Sequence, residues 1–231
     1  MLTCPRFCFA FFYLCTTQMY NNLVSQAGQM QLGGVPNDML SAMASVASVI
    51  FAPPIQLLYN WLAKKMIPFR PIARISTAFL ICAGGMAYAS GIQKLIYSSG
   101  PCYDAPLACP ASDNGRLPNE VNVWLQVPVY VLLAIAEIFG MVTATQYAYE
   151  KAPRGMRGIV QATVQLSAGI GALLGMAISP AAKDPNMIAM YAALAGVMAV
   201  CSVVFWWIFR KYDKINDQLN RLTEGKSETA T

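Results

Sequence analysis

The stretch Asn122–Tyr149 reads NVWLQVPVYVLLAIAEIFGMVTATQYAY. It is long enough to cross a bilayer, which takes about 20 apolar residues as a helix. It also carries one acid, Glu137, near its middle, with no Lys, Arg or His beside it. A carboxylate at that depth costs about 2.5–3.5 kcal/mol on insertion scales, so an intramembrane acid is a functional-site candidate by default. Ala134, Glu137, Gly140 and Ala144 share one helical face, while Leu132, Ile135, Phe139 and Val142 lie elsewhere on the helix. An acid among small residues points to a close helix contact or a cavity wall.

The surrounding chain repeats this pattern. Of 231 residues, 56% are hydrophobic and only 12% charged, about half the charge of a soluble domain. Six apolar spans are expected, near 7–28, 41–63, 72–95, 124–148, 156–179 and 187–209. They make residues 1–212 an all-α integral membrane bundle. With both termini cytoplasmic, all of the 16 basic residues but Lys94, Arg116 and Lys183 fall on the cytoplasmic side, the positive-inside pattern. The net charge of +5 is accounted for in this way and calls for no nucleic acid. The run Phe7–Met19 resembles a signal-peptide core, but it continues into Tyr20-Asn21-Asn22 without a small-residue cleavage site and is read as the first span.

Two segments are polar. Residues 98–119, rich in Pro, Asp, Gly and Ser, form an extracellular loop. Residues 213–231 form a cytoplasmic tail, helical through Leu219 and Leu222 and disordered from Glu224. The loop permits a disulfide between Cys102 and Cys109, which the spacing alone leaves open. The other five cysteines lack ligand spacing and the chain has no His, so no metal site is expected. Pro53-Pro54 is expected to kink the second span. Gly171-x-x-x-Gly175 reads first as a helix-packing contact. Without a His, a paired acid at depth or a nucleophile beside a base, an enzyme is disfavoured.

Two pairs of motifs carry a family resemblance. Ser25-Gln26-Ala27-Gly28 is followed by Pro36-Asn37-Asp38, and Ala136-Glu137 is followed fifteen residues later by Ala152-Pro153-Arg154. Together they resemble the proton-dependent oligopeptide transporter family, in its fungal-type branch. The resemblance covers nearly the whole chain but only the second half of a family member, helices seven to twelve of a twelve-helix major facilitator superfamily protein. It implies that the six spans form one half of that fold.

What the resemblance implies about residues follows from position. The family's acid on the tenth helix faces the central cavity and pairs with the peptide's amino group, and Glu137 holds that position. Tyr13, Gln18 and Asn21 fall on the seventh-helix segment that lies near the peptide's side chains. Thr163 and Ser167 are candidate cavity contacts on the eleventh. The chain departs from the pattern at Ala42-Met43-Ala44-Ser45, where the family's eighth helix opens with Asn and Pro. It departs again at Gln146, where many relatives carry a second acid.

The expected function is therefore one wall of a proton-coupled di- or tripeptide transporter in the plasma membrane. Glu137 binds the substrate ammonium, and protons serve as the coupling ion with no cofactor. The expected partners are the lipid bilayer, small peptides and a second six-helix half. The alternative is a truncated membrane fragment that does not transport, or a half-transporter that acts only with another six-helix body. The family's proton-handling acids lie in the other half, and facilitator folds bind substrate between two halves that rock against each other.

Overall fold

The computed structural model describes residues 3–18, 20–34, 36–65, 69–112, 117–152, 154–182 and 184–228. The motif residue Pro153 and the basic residues Arg116 and Lys183 lie outside the described residues, as do the side chains of Asn37 and Asp38. The chain is a helical bundle in the order α1 (Thr3–Thr17), α2 (Asn22–Gly28), β1 (Met30–Gln31), α3 (Asn37–Lys64), α4 (Pro71–Ser98), β2 (Asn119–Asn122), α5 (Val127–Glu137), a π-helical turn (Ile138–Val142), α6 (Thr143–Lys151), α7 (Arg157–Ile178) and α8 (Met187–Glu228).

Five helical stretches are long and apolar enough to cross a membrane: Met39–Lys64, Pro71–Ser98, Val123–Tyr149, Arg157–Ile178 and Met187–Arg210. The first expected span, 7–28, is instead divided into α1 and α2 around Gln18 and Asn21. Side chains there compete for backbone carbonyls. The Thr17 hydroxyl bonds to Tyr13 O at 2.8 Å and Leu14 O at 2.9 Å, and Gln18 Nε2 donates to Leu14 O at 2.9 Å. Such local bonds offer the chain an alternative to the helical ladder.

The helix α4 is central, packing on α5, α8 and the π-helical turn, while α1 packs on α7 and α3 on α5. Of the five long stretches it is the most deeply buried. Polar glue supplements apolar packing, as expected between helices in lipid. Ser76 on α4 and Ser202 on α8 bond reciprocally, Ser76 Oγ to Ser202 O at 3.1 Å and Ser202 Oγ to Ser76 O at 2.8 Å. Phe9, Phe12, Phe79 and Phe205 close the core with edge-on ring contacts at 5.4–6.3 Å. The crossing of α1 and α7 explains the glycine pair. A Cβ on Gly171 would lie 2.5 Å from Tyr13 Cβ and 2.8 Å from Ala10 O, so only glycine admits this approach.

α3 carries Pro53 and Pro54 inside one continuous helix. Two other local features differ from the sequence expectation or were absent from it. α8 continues to Glu228, so Glu224–Glu228 is helical rather than disordered. No Gly or Pro interrupts the chain between Gly196 and Gly225, which favours continuation. β1 and β2 pair in parallel, Met30 opposite Asn119, which ties the α2–α3 link to the end of the loop that follows α4. Within that loop Cys102 and Cys109 are joined by a disulfide.

Candidate functional site

Glu137 is the last residue of α5, and the π-helical turn Ile138–Val142 begins immediately after it. Such single turns interrupt α-helices mostly at functional positions, because one extra residue re-aims the side chains that follow. Here the interruption has visible packing partners. A Cβ on Gly140 would lie 3.1 Å from Ala78 Cβ and 3.2 Å from Phe12 Cζ, so α4 and α1 press directly on this turn. Phe139 sits against Tyr59 and Phe69, with ring centroids at 5.5 and 6.2 Å. The Arg74 guanidinium covers Tyr59 at 3.9 Å and donates from Nε to Phe69 O at 2.9 Å. The turn that carries the acid's neighbours is thus held from three sides.

Glu137 itself is half-buried. Among the described residues no basic side chain balances its charge and no hydrogen-bond donor reaches it. Its face of the helix is lined as the sequence pattern expects, with Ala134, Gly140 and Ala144 buried. The groups within electrostatic reach include Tyr13 on α1 and Tyr20 in the break between α1 and α2. Tyr13 is buried, and its hydroxyl finds no hydrogen-bond partner. A half-buried carboxylate can accept from an ammonium, and an unpartnered phenol within its electrostatic reach can offer a further polar group.

The remaining sequence candidates are placed differently. Gln18 is fully buried and engaged, donating to Leu14 O and accepting from Asn22 Nδ2 at 2.5 Å. Asn21 is exposed and sits at the N-cap of α2 without a side-chain cap bond. On α7 the hydroxyls of Thr163 and Ser167 return to their own helix, to Ile159 O at 2.8 Å and Thr163 O at 3.3 Å. Ser167 is buried and Thr163 half-buried. Of the sequence candidates, Tyr13 is within electrostatic reach of Glu137. Tyr20, in the break between α1 and α2 and left out by the sequence reading, is as well. Gln146, at the position of the missing second acid, is exposed, as are Ala42 and Ser45.

The POT family sequence profile matches residues 3–214. The chain belongs to the POT family. It is 50% identical to the peptide transporter imqD of Aspergillus flavus, over 90% of this chain and 52% of the relative. It is 38% identical to the probable peptide transporter ptr2 of Schizosaccharomyces pombe, over 99% of this chain and 36% of that protein. With the peptide transporter PTR2 of Saccharomyces cerevisiae it shares 33% identity over 93% of this chain and 35% of that protein. The chain thus spans about half, or less, of the length of these curated relatives. Its fold is that of POT-family membrane transporters. The crystal structure of the POT family transporter PepTSo superposes with a TM-score of 0.72 at 18% identity, covering 90% of this chain and 41% of that one. An auto-inhibited POT family peptide transporter gives 0.71 at 17% identity, covering 90% and 40%. The chain is an integral membrane protein of a peptide-transporting family.

Proposed function

We propose that this chain supplies one wall of the substrate passage of a proton-coupled di- or tripeptide transporter, with Glu137 binding the peptide's amino group. The supporting observation is the state of that carboxylate, which is half-buried in the helix interior, balanced by no base among the described residues, and set at the start of a π-helical turn. An uncompensated anion in a low-dielectric site is costly to maintain and gains most from an incoming cation. A peptide ammonium is such a cation and adds charge-assisted hydrogen bonds. Tyr13 and Tyr20 lie within electrostatic reach of the anion, and Tyr13 lends the bound peptide a phenol hydroxyl. In this reading Gln18, Asn21, Thr163 and Ser167 act mainly by shaping the wall, because their polar atoms are engaged within helices or lie at a cap.

Alternating access requires a second six-helix body opposite this wall, since substrate binds between two halves that rock against each other. That body is the partner in this proposal, and the chain corresponds to helices seven to twelve. The termini face the cytoplasm. Lys65 over Trp61 at 4.2 Å, Arg157 over Tyr149 at 4.4 Å and Arg210 over Trp206 at 5.2 Å lie at the basic ends of α3, α6–α7 and α8. Aromatic rings and cations together mark the headgroup level, and the basic end is the inner one. The plasma membrane is the expected site. Peptide uptake by cells lacking their own carrier tests the role. In the complete transporter, Glu137→Gln is expected to abolish dipeptide uptake at normal surface expression, and wild-type uptake by that variant ends the assignment.

A further inference from the structure

The π-helical turn Ile138–Val142 is gripped by α4 at two levels. Ala78 meets the turn directly, since a Cβ on Gly140 would lie 3.1 Å from Ala78 Cβ. Arg74, four residues earlier on the same face of α4, meets it through two aromatic rings. Its guanidinium lies 3.9 Å from the Tyr59 ring centroid and 5.8 Å from that of Phe69. Its Nε donates to Phe69 O at 2.9 Å. The Tyr59 and Phe69 rings are 6.0 Å apart, and both close on Phe139 of the turn, at 5.5 and 6.2 Å. Phe139 is buried there. One cation thus joins the end of α3, the link before α4 and the turn.

π-helical turns are rare and occur as single interruptions of α-helices. The uninterrupted α-helix is the competing arrangement of the same residues. Passing from one to the other moves the register by one residue, which turns the flanking segments relative to each other by about 100°. Glu137 is the residue just before the turn. The register of the turn therefore sets where its carboxylate points relative to α6. Phe139, two residues on, cannot follow such a rotation while its ring is held against Tyr59 and Phe69. Holding those two rings together takes a flat cation with a donor at Nε. A guanidinium has both, whereas an ammonium is a compact point charge with neither.

We propose that Arg74 is a positioning residue: by closing the cluster of Tyr59, Phe69 and Phe139 it holds the register of the π-helical turn, and with it the direction of the Glu137 carboxylate. The inference rests on the reading of Glu137 as the acceptor of a substrate ammonium. The charge of Arg74 does not balance Glu137, and the residue acts through the two rings and the turn. A substitution that keeps the charge and loses the plane is therefore a change of position, not of electrostatics.

Arg74→Lys keeps the charge and loses the plane and the Nε donor. Phe139→Leu keeps an apolar side chain and loses the ring. In the detergent-solubilised chain, hydrogen exchange of the Ile138–Val142 amides is expected to quicken in each variant. In the complete transporter, at matched surface expression, the preference for a dipeptide over its N-acetylated counterpart is expected to fall from about tenfold toward parity, with affinity for the N-acetylated ligand retained. A variant that merely destabilises the fold lowers the amount of ligand bound and leaves that preference alone. Wild-type exchange or wild-type preference in Arg74→Lys overturns the proposal, and Phe139→Leu decides in the same way should Arg74→Lys fail to fold. Glu137→Gln separates the two layers. A preference that survives in that variant removes the carboxylate role and this inference with it. A preference lost there but intact in Arg74→Lys and Phe139→Leu overturns the positioning role alone.

Discussion

Glu137 lies within electrostatic reach of Tyr13 and Tyr20, next to the π-helical turn after α5, and Tyr20 lies in the break between α1 and α2. The acid was legible in the sequence, since a charge inside an apolar run stands out without any structure. Tyr13 entered only by resemblance, and Tyr20 was not singled out, because hydropathy does not register the break it lies in. The unpartnered Tyr13 hydroxyl makes a prediction that separates a binding role from a structural one. A buried hydroxyl without a partner costs about 1–3 kcal/mol. Tyr13→Phe should therefore leave the melting temperature unchanged or raise it, while weakening peptide binding to the assembled transporter. A clear drop in thermal stability would show that the hydroxyl is satisfied within the fold and not kept for a ligand. Glu137→Asp keeps the charge but retracts it by one methylene. It is expected to reduce peptide affinity without abolishing it, and equilibrium binding with a labelled dipeptide measures the difference.

The spanning helices were legible because twenty apolar residues in a row leave a chain few alternatives in lipid. Their pairings were not, with one exception: Gly171-x-x-x-Gly175 announced a close crossing, and α1 fills it. That crossing predicts an asymmetry between two glycines on the same helix, α7. Gly171→Ala must push α1 off α7, because its Cβ would sit 2.5 Å from Tyr13 Cβ and against backbone atoms. Overpacking of this kind costs about 1–3 kcal/mol. Gly169→Ala faces open space and should cost nothing. Thermal unfolding in detergent compares the two, and equal midpoints would contradict the packing described. The reciprocal bonds between Ser76 and Ser202 make a second case. Each single alanine should destabilise by about 1 kcal/mol and the double variant by less than the sum, because both bonds belong to one contact. A glutamine series shows the opposite limit of legibility: Gln126 donates to Gln26, Gln26 to Gln93 and Gln93 to Gln29, although the four are scattered through the chain.

The molecule has a polar end tied by the disulfide, the strand pair and the glutamine series, and a basic end with cations stacked on aromatic rings. Between them the helices hold Glu137, which no basic side chain balances among the described residues. The family profile matches most of the chain, yet the chain spans only about half or less of each curated relative. The sequence carried the family at this scale, through paired motifs. It carried nothing about how the wall is completed. A passage lined on one side is expected to recruit its other side. Co-expression with the complementary six-helix segment of a relative should yield a complex that copurifies through one tag. Recovery of this chain alone, monodisperse and monomeric, would contradict a need for that partner.

The central claim is that the carboxylate of Glu137 receives a peptide's ammonium group. Binding of a dipeptide and of its N-acetylated counterpart to the assembled transporter, with and without Glu137→Gln, isolates that contact. The wild type is expected to prefer the free amine by at least about tenfold, a difference of 1.4 kcal/mol, and the variant to bind the two ligands alike. Undiminished preference for the free amine in the variant would contradict the account.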